Sequence, residues 1–194
     1  MSSSTTPEPR ATRDLLLDCV ERLMVDKGYA GVTYRAVARA AGVTGGLVQY
    51  YFPTIDDLLV ASVRRSFERN ISRLEQILRS DTDRLLTRLW KYSHDEASAA
   101  LINEYMALGN HRESVRVVLA EVTDRVRATQ LAALERFGHG SEGSPSPEAL
   151  LFLITGVPKL LQLEEGLGVT GGHAEVERLF AGYLKRLETE ARDT

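Results

Sequence analysis

Apolar residues recur every three or four positions along most of this chain, which is the spacing that lines one face of an α-helix. Within residues 11–27 the apolar positions are Leu16, Cys19, Val20, Leu23 and Met24. A second series runs over Leu59, Val63, Phe67, Ile71, Leu74 and Leu78 and predicts one long helix. No segment alternates apolar and polar residues as a half-buried strand would. The pattern therefore predicts an all-α fold of about nine helices.

The second half of the chain continues the same pattern. Further helices are predicted in residues 81–109, which hold two, and in 112–137, 147–163 and 176–187, separated by a loop at 138–147 and a glycine-rich turn at 166–172. The helix after Pro147 is apolar around most of its circumference, so we expect it to be buried broadly. Pro158 inside this helix predicts a kink.

Two short helices joined by a tight turn are predicted between Thr33 and Phe52. Thr33 and Thr44 can each cap a helix with a hydroxyl, and Gly42 can end the first helix in the left-handed conformation. Small residues around the bend let the helices cross closely, as in a helix-turn-helix whose second helix enters a DNA major groove. With the helix of residues 11–27 they form a three-helix head.

The distribution of charge agrees with this prediction. The stretch from Thr33 to Phe52 holds two arginines and no acid, in a chain of net charge -3. Residues 1–70 hold nine basic and eight acidic residues, a balance of +1, whereas residues 71–194 hold fifteen and nineteen, a balance of -4. Only the first part is therefore suited to a polyanion.

At these residues the sequence resembles the TetR family of bacterial transcription regulators. The matching elements are Gly28-Tyr29, Thr33, Ala41-Gly42-Val43, Tyr50-Tyr51-Phe52 and Asp56-Asp57-Leu58-Leu59. Three positions depart from the family pattern: Ile55 replaces a lysine that contacts phosphate, Gly45 a longer polar residue, and Gln49 a common tyrosine. The DNA sequence that the family's members bind is therefore not transferable to this chain.

The resemblance implies a domain organisation. Residues 10–53 would be the helix-turn-helix DNA-binding domain, and residues 54–194 a helical domain for ligand binding and dimerisation. The last two predicted helices are apolar and joined by a turn, so they can pair with their copies in a four-helix bundle, which is where the family dimerises. The long helix after residue 54 would transmit ligand binding to the DNA contacts.

The chemistry of the head selects a set of residues for DNA contact. Gln49 can pair with an adenine edge through two hydrogen bonds, and tyrosine hydroxyls can bond phosphates. Glycines allow close backbone approach, and N–H groups at a helix start can hold phosphate oxygens. The predicted DNA-binding residues are Thr33, Tyr34, Arg35, Thr44, Gly45, Gly46, Gln49, Tyr50 and Tyr51. For each tyrosine the alternative is half-buried packing, whereas Phe52 is expected in the core.

A second set could line a mostly apolar ligand cavity with a few polar groups. Its members are Trp90, His94, Tyr105, Met106, His111 and Phe152. The cavity, and the unknown small-molecule effector that it would hold, are implied by the resemblance and not by residue spacing. Each of the six residues is equally compatible with an ordinary core.

Composition and motifs exclude several other classes. No apolar run reaches the roughly 18 residues of a membrane helix, and the N-terminus lacks the apolar segment of a signal peptide, which predicts a cytoplasmic protein. Residues 1–9, rich in Ser, Thr and Pro, predict a disordered arm. The single cysteine, Cys19, allows no internal disulfide and is expected in the core. The four histidines form no metal motif, and the glycine-rich stretches lack the lysine of a phosphate loop.

The sequence thus predicts a homodimeric, ligand-responsive DNA-binding regulator, most simply a repressor, that reads a near-palindromic double-stranded operator. No catalytic residue, metal or cofactor is predicted. The alternative from another class is a helical protein-interaction module that does not bind DNA.

Overall fold

The computed structural model describes residues 9–79, 84–94, 96–137 and 145–191, and throughout these ranges the regular structure is helical. The helices are α1 (Pro9–Lys27), α2 (Tyr34–Ala41), α3 (Gly45–Tyr51), α4 (Ile55–Arg79), α5 (Leu85–Ser93), α6 (Glu96–Gly109), α7 (Glu113–Phe137), α8 (Pro147–Gly166) and α9 (His173–Glu190). A short 3-10 turn, Tyr29–Gly31, precedes α2. The predicted all-α fold of nine helices is confirmed for the part of the chain that the structure describes.

Helix α1 begins at Pro9, which was predicted to be the last residue of the disordered arm. The rest of that arm, residues 1–8, lies outside the described residues, as do residues 138–144 of the predicted loop. Pro158 lies inside α8 without ending it, because α8 continues to Gly166.

Capping side chains begin two of the longer helices. At the start of α4 the Thr54 N–H donates to Asp57 Oδ2 at 2.9 Å, and the Asp57 N–H donates back to Thr54 Oγ1 at 3.1 Å. This reciprocal pair is a capping box with an aspartate in the acidic position. At the start of α8 the Ser146 hydroxyl accepts from the Ala149 N–H at 3.2 Å. Both helix starts follow from residues within one turn.

The chain divides into two compact units. The first consists of Met1–Glu68 with Ala100–Val122, and the second of Arg69–Ala99 with Thr123–Thr194. Residues 54–68 and 100–122 therefore pack with the head. The domain boundary predicted at residue 53 is a functional division, and it stays a prediction.

The core of the first unit is mostly apolar and holds an internal polar pair. Leu16, Leu17 and Met24 of α1 are buried in it, and so is Cys19, as predicted. The hydroxyls of Ser62 in α4 and Tyr105 in α6 lie 2.8 Å apart and share a hydrogen bond. Pairing two buried hydroxyls avoids the cost of burying either one unsatisfied.

The second unit has its own core, centred on α5, α8 and α9. The buried members are Leu74, Leu85, Leu86, Leu89, Trp90, Ala133, Leu134, Leu150, Leu151, Ile154 and Leu184. The Trp90 ring stacks on Phe180 of α9 with ring centres 4.8 Å apart and an interplanar angle of 11°. Stacked aromatic pairs add about 0.5–1.5 kcal/mol to what their burial contributes.

The expectation that α8 is buried broadly is wrong for the single chain. Its buried face carries Leu150, Leu151, Ile154, Pro158 and Leu161. The opposite face exposes an apolar stripe, with Phe152 64%, Leu160 55% and Leu163 54% exposed. The described helices of the same chain pack mainly against one side of α8, and on the other side the Arg127 guanidinium of α7 lies 6.0 Å from the centre of the Phe152 ring. None of the described helices combines the length and the apolar character needed to cross a membrane.

A carboxylate of α9 caps the start of α5. Glu188 is buried, and its two oxygens accept from the Thr87 N–H at 2.8 Å and from the Thr87 hydroxyl at 2.9 Å. Thr87 lies in the first turn of α5, where N–H groups have no acceptor within the helix. Glu188, which lies 101 positions further along the chain than Thr87, supplies that acceptor.

We expect Glu188→Ala to lower the free energy of unfolding by about 1–3 kcal/mol, because it leaves the Thr87 N–H and hydroxyl without their partner. Glu188→Gln keeps one acceptor oxygen and should lose less than the alanine variant. Urea unfolding of the wild type and both variants measures the difference. Equal loss in the glutamine and alanine variants would contradict a capping role.

His173, the first residue of α9, lies between two carboxylates of the last turn of α8. The Nε2 atom of buried His173 is 2.8 Å from Glu164 Oε2, and its Nδ1 atom is 3.5 Å from Glu165 Oε1. The hydrogen bond to Glu164 raises the pKa of His173 above its usual value, and Glu165 adds to the effect while burial opposes it. The folded protein therefore binds this proton more tightly than the unfolded chain does.

The stabilisation from His173 should be complete below its unfolded pKa of about 6.5 and should disappear as the pH rises through the raised folded value. We expect the melting temperature of the wild type to fall more between pH 6 and pH 8.5 than that of His173→Gln, which carries no titrating group there. An equal fall in the melting temperatures of the wild type and His173→Gln over this pH range would contradict the prediction.

Candidate nucleic-acid interface

Both short helices of the helix-turn-helix begin at the predicted threonines. The Thr33 Oγ1 atom accepts a hydrogen bond from the Ala36 N–H at 3.2 Å, and Thr44 Oγ1 accepts from the Leu47 N–H at 3.3 Å. Each bond satisfies one N–H group that the first helical turn leaves without an acceptor. The predicted starts of α2 and α3 are confirmed.

The turn between the helices depends on Gly42. This residue has φ 67° and ψ 29°, in the left-handed region that a side chain strains. The conformation directs the Val43 N–H back to the Ala38 carbonyl, at 2.9 Å. This geometry is typical of a helix that ends at glycine, and it brings α3 across α2.

The inner face of the helix-turn-helix is apolar and closely packed. Val37 and Ala38 of α2, Val48 of α3 and Phe52 are buried, so the core position predicted for Phe52 is confirmed. The guanidinium of Arg13 in α1 lies 5.1 Å above the centre of the Phe52 ring. A cation over an aromatic face is attracted to it, which helps to hold the end of α3 on α1.

Tyr34 links the two ends of the helix-turn-helix. Its hydroxyl donates to the Phe52 carbonyl at 2.8 Å. Burial raises the pKa of Tyr34, and the negative charge of Asp57 raises it further. Since the hydroxyl already has an acceptor, the backbone N–H at the start of α2 is the group that Tyr34 can offer to a phosphate.

The outer face exposes most of the predicted DNA-binding residues. Thr33, Arg35, Thr44, Gly45, Gly46, Gln49 and Tyr50 are exposed there. Tyr50 is 78% exposed, which excludes the half-buried packing alternative for it. Tyr51 is half-buried, and its ring meets the Tyr50 ring edge to face with centres 5.3 Å apart. Tyr51 therefore supports Tyr50 as well as flanking the outer face.

An open groove of ≈ 610 Å³ lies between α2 and α3 on the outer side. It is lined by Tyr34, Arg35, Ala38, Arg39, Val43, Gly45 and Gln49. Two arginines and no acid line it, together with a glutamine amide that can both donate and accept hydrogen bonds. The chemistry of this groove suits phosphate oxygens and base edges.

Three groove residues were missing from the predicted DNA-binding set: the apolar Ala38 and Val43, and the charged Arg39. Arg39 is exposed on α2, four positions after Arg35. Residues four apart lie on the same helix face, so the spacing could have identified it once Arg35 was selected. The groove thus has two cationic side chains on its α2 side.

The first turn of α3 leaves its backbone open to a partner. A Cβ atom added at Gly45 or at Gly46 would meet no atom within 4 Å, and neither glycine has a positive φ. The conformation therefore does not require glycine at these two positions. What glycine provides here is access to the backbone of α3.

An ion-pair cluster joins α4 to α1 behind the helix-turn-helix. Arg65 of α4 donates to Asp18 Oδ1 at 2.7 Å and to Glu21 Oε1 at 3.0 Å. It also donates to the Asp14 carbonyl at 2.9 Å. The Arg65 side chain is largely buried by these contacts, so the cluster is more ordered than an exposed surface pair. Position 55 of the same helix is half-buried Ile55, where the family has its lysine.

The six predicted ligand-binding residues divide between the two units. In the first unit, Tyr105 is buried against Ser62, Met106 is exposed, and His111 stacks on Tyr29 with ring centres 5.7 Å apart. In the second unit, Trp90 is buried against Phe180, His94 lies 3.2 Å from the Trp90 carbonyl, and Phe152 belongs to the exposed stripe of α8. The core alternative is wrong for Met106, His111 and Phe152, which are exposed. A ligand role for all six residues stays a prediction.

Among the residues that the structure describes, no three His, Cys, Asp or Glu side chains are grouped so as to hold a metal ion. His139 lies outside the described residues.

Comparison with known sequences identifies the same region. Residues 16–62 match the profile of the bacterial regulatory proteins of the tetR family. The chain is 26% identical over 114 residues to the HTH-type transcriptional regulator HbdR of Aromatoleum sp. (strain CIB), a match that covers 56% of this chain and 50% of HbdR. The matched part thus spans about half the length of this relative.

Comparison with solved structures extends the similarity to most of the chain. A TetR transcription regulator from Haloarcula marismortui ATCC 43049 superposes with a TM-score of 0.71 at 18% identity, covering 91% of this chain and 97% of that one. The multidrug binding protein EbrR, solved with imidazole, gives a TM-score of 0.59 at 27% identity, covering 82% and 87%. The first likeness shows that the fold is shared beyond the helix-turn-helix.

Proposed function

We propose, from the premise that this chain belongs to the TetR family of bacterial regulatory proteins, that it regulates transcription by binding operator DNA through α2 and α3. The observation that carries the proposal is the groove between these helices, where Arg35, Arg39 and Gln49 surround an open glycine backbone without any acid. Arg35 and Arg39 hold phosphates, the first turn of α3 lies against the DNA backbone, and Gln49 and Tyr50 reach the base edges.

The functional species is a homodimer formed through α8 and α9. An exposed apolar stripe on α8 supports this, and Gly156 within it leaves room for a second helix, since an added Cβ would meet only Phe152 atoms at 3.8 Å. On α9 the exposed positions Leu179 and Gly182 lie three residues apart on one face. Apolar surface of this kind is typical of an interface. Two copies of α3 would then read half-sites about 34–36 Å apart in a near-palindrome.

The regulator acts in the cytoplasm as a repressor that responds to a small molecule. A dimer bound over a promoter excludes the polymerase without needing a second binding surface. EbrR, a multidrug binding protein of 27% identity, supports the response to a ligand. The effector would bind two orientations of the heads with different affinities, and it could shift the balance between them by no more than that difference. Because such coupling is reciprocal, operator DNA would weaken effector binding by the same factor by which the effector weakens DNA binding.

Selection from random duplex DNA, followed by sequencing and a salt titration on the enriched site, tests the proposal. We expect an inverted repeat and a steep loss of affinity with salt. Arg35→Ala with Tyr50→Ala should weaken binding about 100-fold or more, since each contact contributes roughly 1–3 kcal/mol. Arg125→Ala, which removes an exposed arginine of α7 outside the proposed dimer interface, is the control. Full DNA binding by the double variant would favour the protein-interaction alternative.

A further inference from the structure

The turn that leads into the helix-turn-helix is held by a residue of α6. The Tyr29 N–H donates to Glu104 Oε2 at 2.9 Å, across 75 positions of sequence. The preceding Gly28 has φ 70°, and the same oxygen lies 3.6 Å from where a Cβ of residue 28 would be. The chain therefore enters α2 through a short turn whose first N–H group is satisfied by α6 and not by its own neighbours.

The residues that follow α6 contact the same turn. His111 stacks on the Tyr29 ring with ring centres 5.7 Å apart and an interplanar angle of 28°. Tyr29 is thus held at its backbone by Glu104 and at its ring by His111. Both contacts lie four or more residues before Thr33, where α2 is capped, so they act on the entry to the helix-turn-helix and leave its DNA-facing side open.

The exit from the helix-turn-helix is held by the next residues of the same segment. Asp56, in the first turn of α4, accepts from Ser114 Oγ at 2.6 Å and also pairs with the Arg112 guanidinium. The Ser114 hydrogen bond lowers the pKa of Asp56, and Arg112 lowers it further. The carboxylate is therefore ionised at neutral pH and can hold both donors.

We propose that residues 104–114, called the brace below, fix the orientation of the helix-turn-helix in which it binds DNA, with Glu104 and Arg112 as positioning residues. This inference rests on the proposed function. A rigid body held at a single point can rotate about that point in any direction, whereas contacts at both ends restrict the rotation to the axis that joins them. The brace provides both contacts, at Tyr29 before α2 and at Asp56 after α3. Neither positioning residue needs to touch DNA.

The inference is tested by the selectivity for half-site spacing. One inserted base pair separates the half-sites by about 3.4 Å and rotates them by about 35°. Two heads held rigidly should tolerate this poorly, whereas heads free to rotate should tolerate it better. We expect Glu104→Ala with Arg112→Ala to reduce, by about tenfold, the ratio of affinities for the native and the inserted operator. The salt slope should stay unchanged, because the phosphate contacts are the same.

Two variants serve as controls. Glu104→Gln keeps an acceptor oxygen for the Tyr29 N–H and should retain the wild-type spacing ratio. Arg64→Ala removes the ion pair of α4 with Glu121 in the same unit, two turns along α4 from Asp56, and should lower stability without changing the ratio. If the double variant folds poorly, Arg112→Ala with Ser114→Ala removes both donors to Asp56 and so removes one end of the brace.

A folded double variant that kept the wild-type spacing ratio would overturn the brace and leave the proposed function intact. Wild-type protein that enriched no DNA would overturn the proposed function, and the DNA role of the brace with it. Hydrogen exchange provides a readout that needs no DNA, since the Tyr29 amide should exchange faster in Glu104→Ala than in Arg64→Ala. Equal exchange in these two variants would also overturn the inference.

Discussion

Gly45→Glu should reduce operator affinity about 100-fold or more while the thermal stability is kept or raised. Position 45 is the first residue of α3 and faces the groove with Arg35 and Arg39. An acid there meets phosphate, and like charges opposed in an interface cost several kcal/mol, of which about 2.7 kcal/mol gives 100-fold. Binding is therefore lost without any change in fold.

The stability should move in the opposite direction. A Cβ at position 45 meets no atom within 4 Å, and the residue has no positive φ, so the substitution introduces no strain. Replacing glycine in a helix contributes roughly 0.5–1 kcal/mol, and an acid in the first turn interacts favourably with the helix dipole. A variant that melts at a higher temperature but binds DNA more weakly has lost a contact with DNA, whereas a variant that disturbs the fold would lose both stability and binding.

Gly45→Ala and Gly45→Lys separate charge from close approach. If charge dominates, the lysine variant binds DNA at least as tightly as the wild type, and the alanine variant loses little. If close approach dominates, all three variants lose affinity together. Fluorescence anisotropy on the selected operator, alongside thermal melting, provides both numbers. Wild-type affinity in Gly45→Glu would show that the first turn of α3 does not face DNA.

Leu160→Glu with Leu163→Glu should convert the protein to monomers and weaken operator binding about 100-fold or more. These two side chains are 55% and 54% exposed in the single chain. Since nearly half of each side chain is already buried, covering the rest contributes roughly 1–1.5 kcal/mol per residue, and a charge buried in its place costs more. Loss of the dimer also removes the gain from binding two linked half-sites, typically 10²–10⁴ in affinity.

Val117→Glu is the matched control for this prediction. Val117 is 55% exposed on α7, so it presents the same class of surface outside α8 and α9. Sedimentation or light scattering across a concentration series gives the dimer dissociation constant of each variant. If the α8 variant stays dimeric and the Val117 variant dissociates, the interface lies elsewhere.

The two arginines of the groove offer positive charge that the family pattern provides through a lysine at position 55. Ile55 is half-buried at the first position of α4 and can offer no charge. Arg39, exposed on α2, lines the groove with Arg35. Under the proposed function, two arginines on one helix face would supply charge for phosphates from another position.

Signals confined to one turn of helix allowed the helix-turn-helix to be predicted from the sequence. Thr33 and Thr44 cap their helices through bonds to residues three positions away, and Gly42 ends α2 through its own backbone conformation. The start of α4 follows from Thr54 and Asp57 in the same manner. Such interactions depend on neighbours within four residues, so the sequence states them directly.

The exposure of α8 could not be predicted in the same way. Its composition indicates an apolar helix, but an apolar residue can be buried by its own chain or by another one. The structure places Ile154 inside the second unit and Phe152 outside it, although both carry large apolar side chains. Only the packing of α5 against one side of α8 decides which face remains free.

By itself, the sequence determined the nine α-helices of the described residues, the caps and turn of the helix-turn-helix, and the acid-free charge of its outer face, because each depends on residues close in the chain. The tertiary structure decided which side chains share the groove, that the Tyr34 hydroxyl bonds the Phe52 carbonyl, and that Glu104 holds Tyr29. These contacts join residues 18 and 75 positions apart. Any of many polar residues could satisfy the same N–H group, so only the folded arrangement of helices selects the partner.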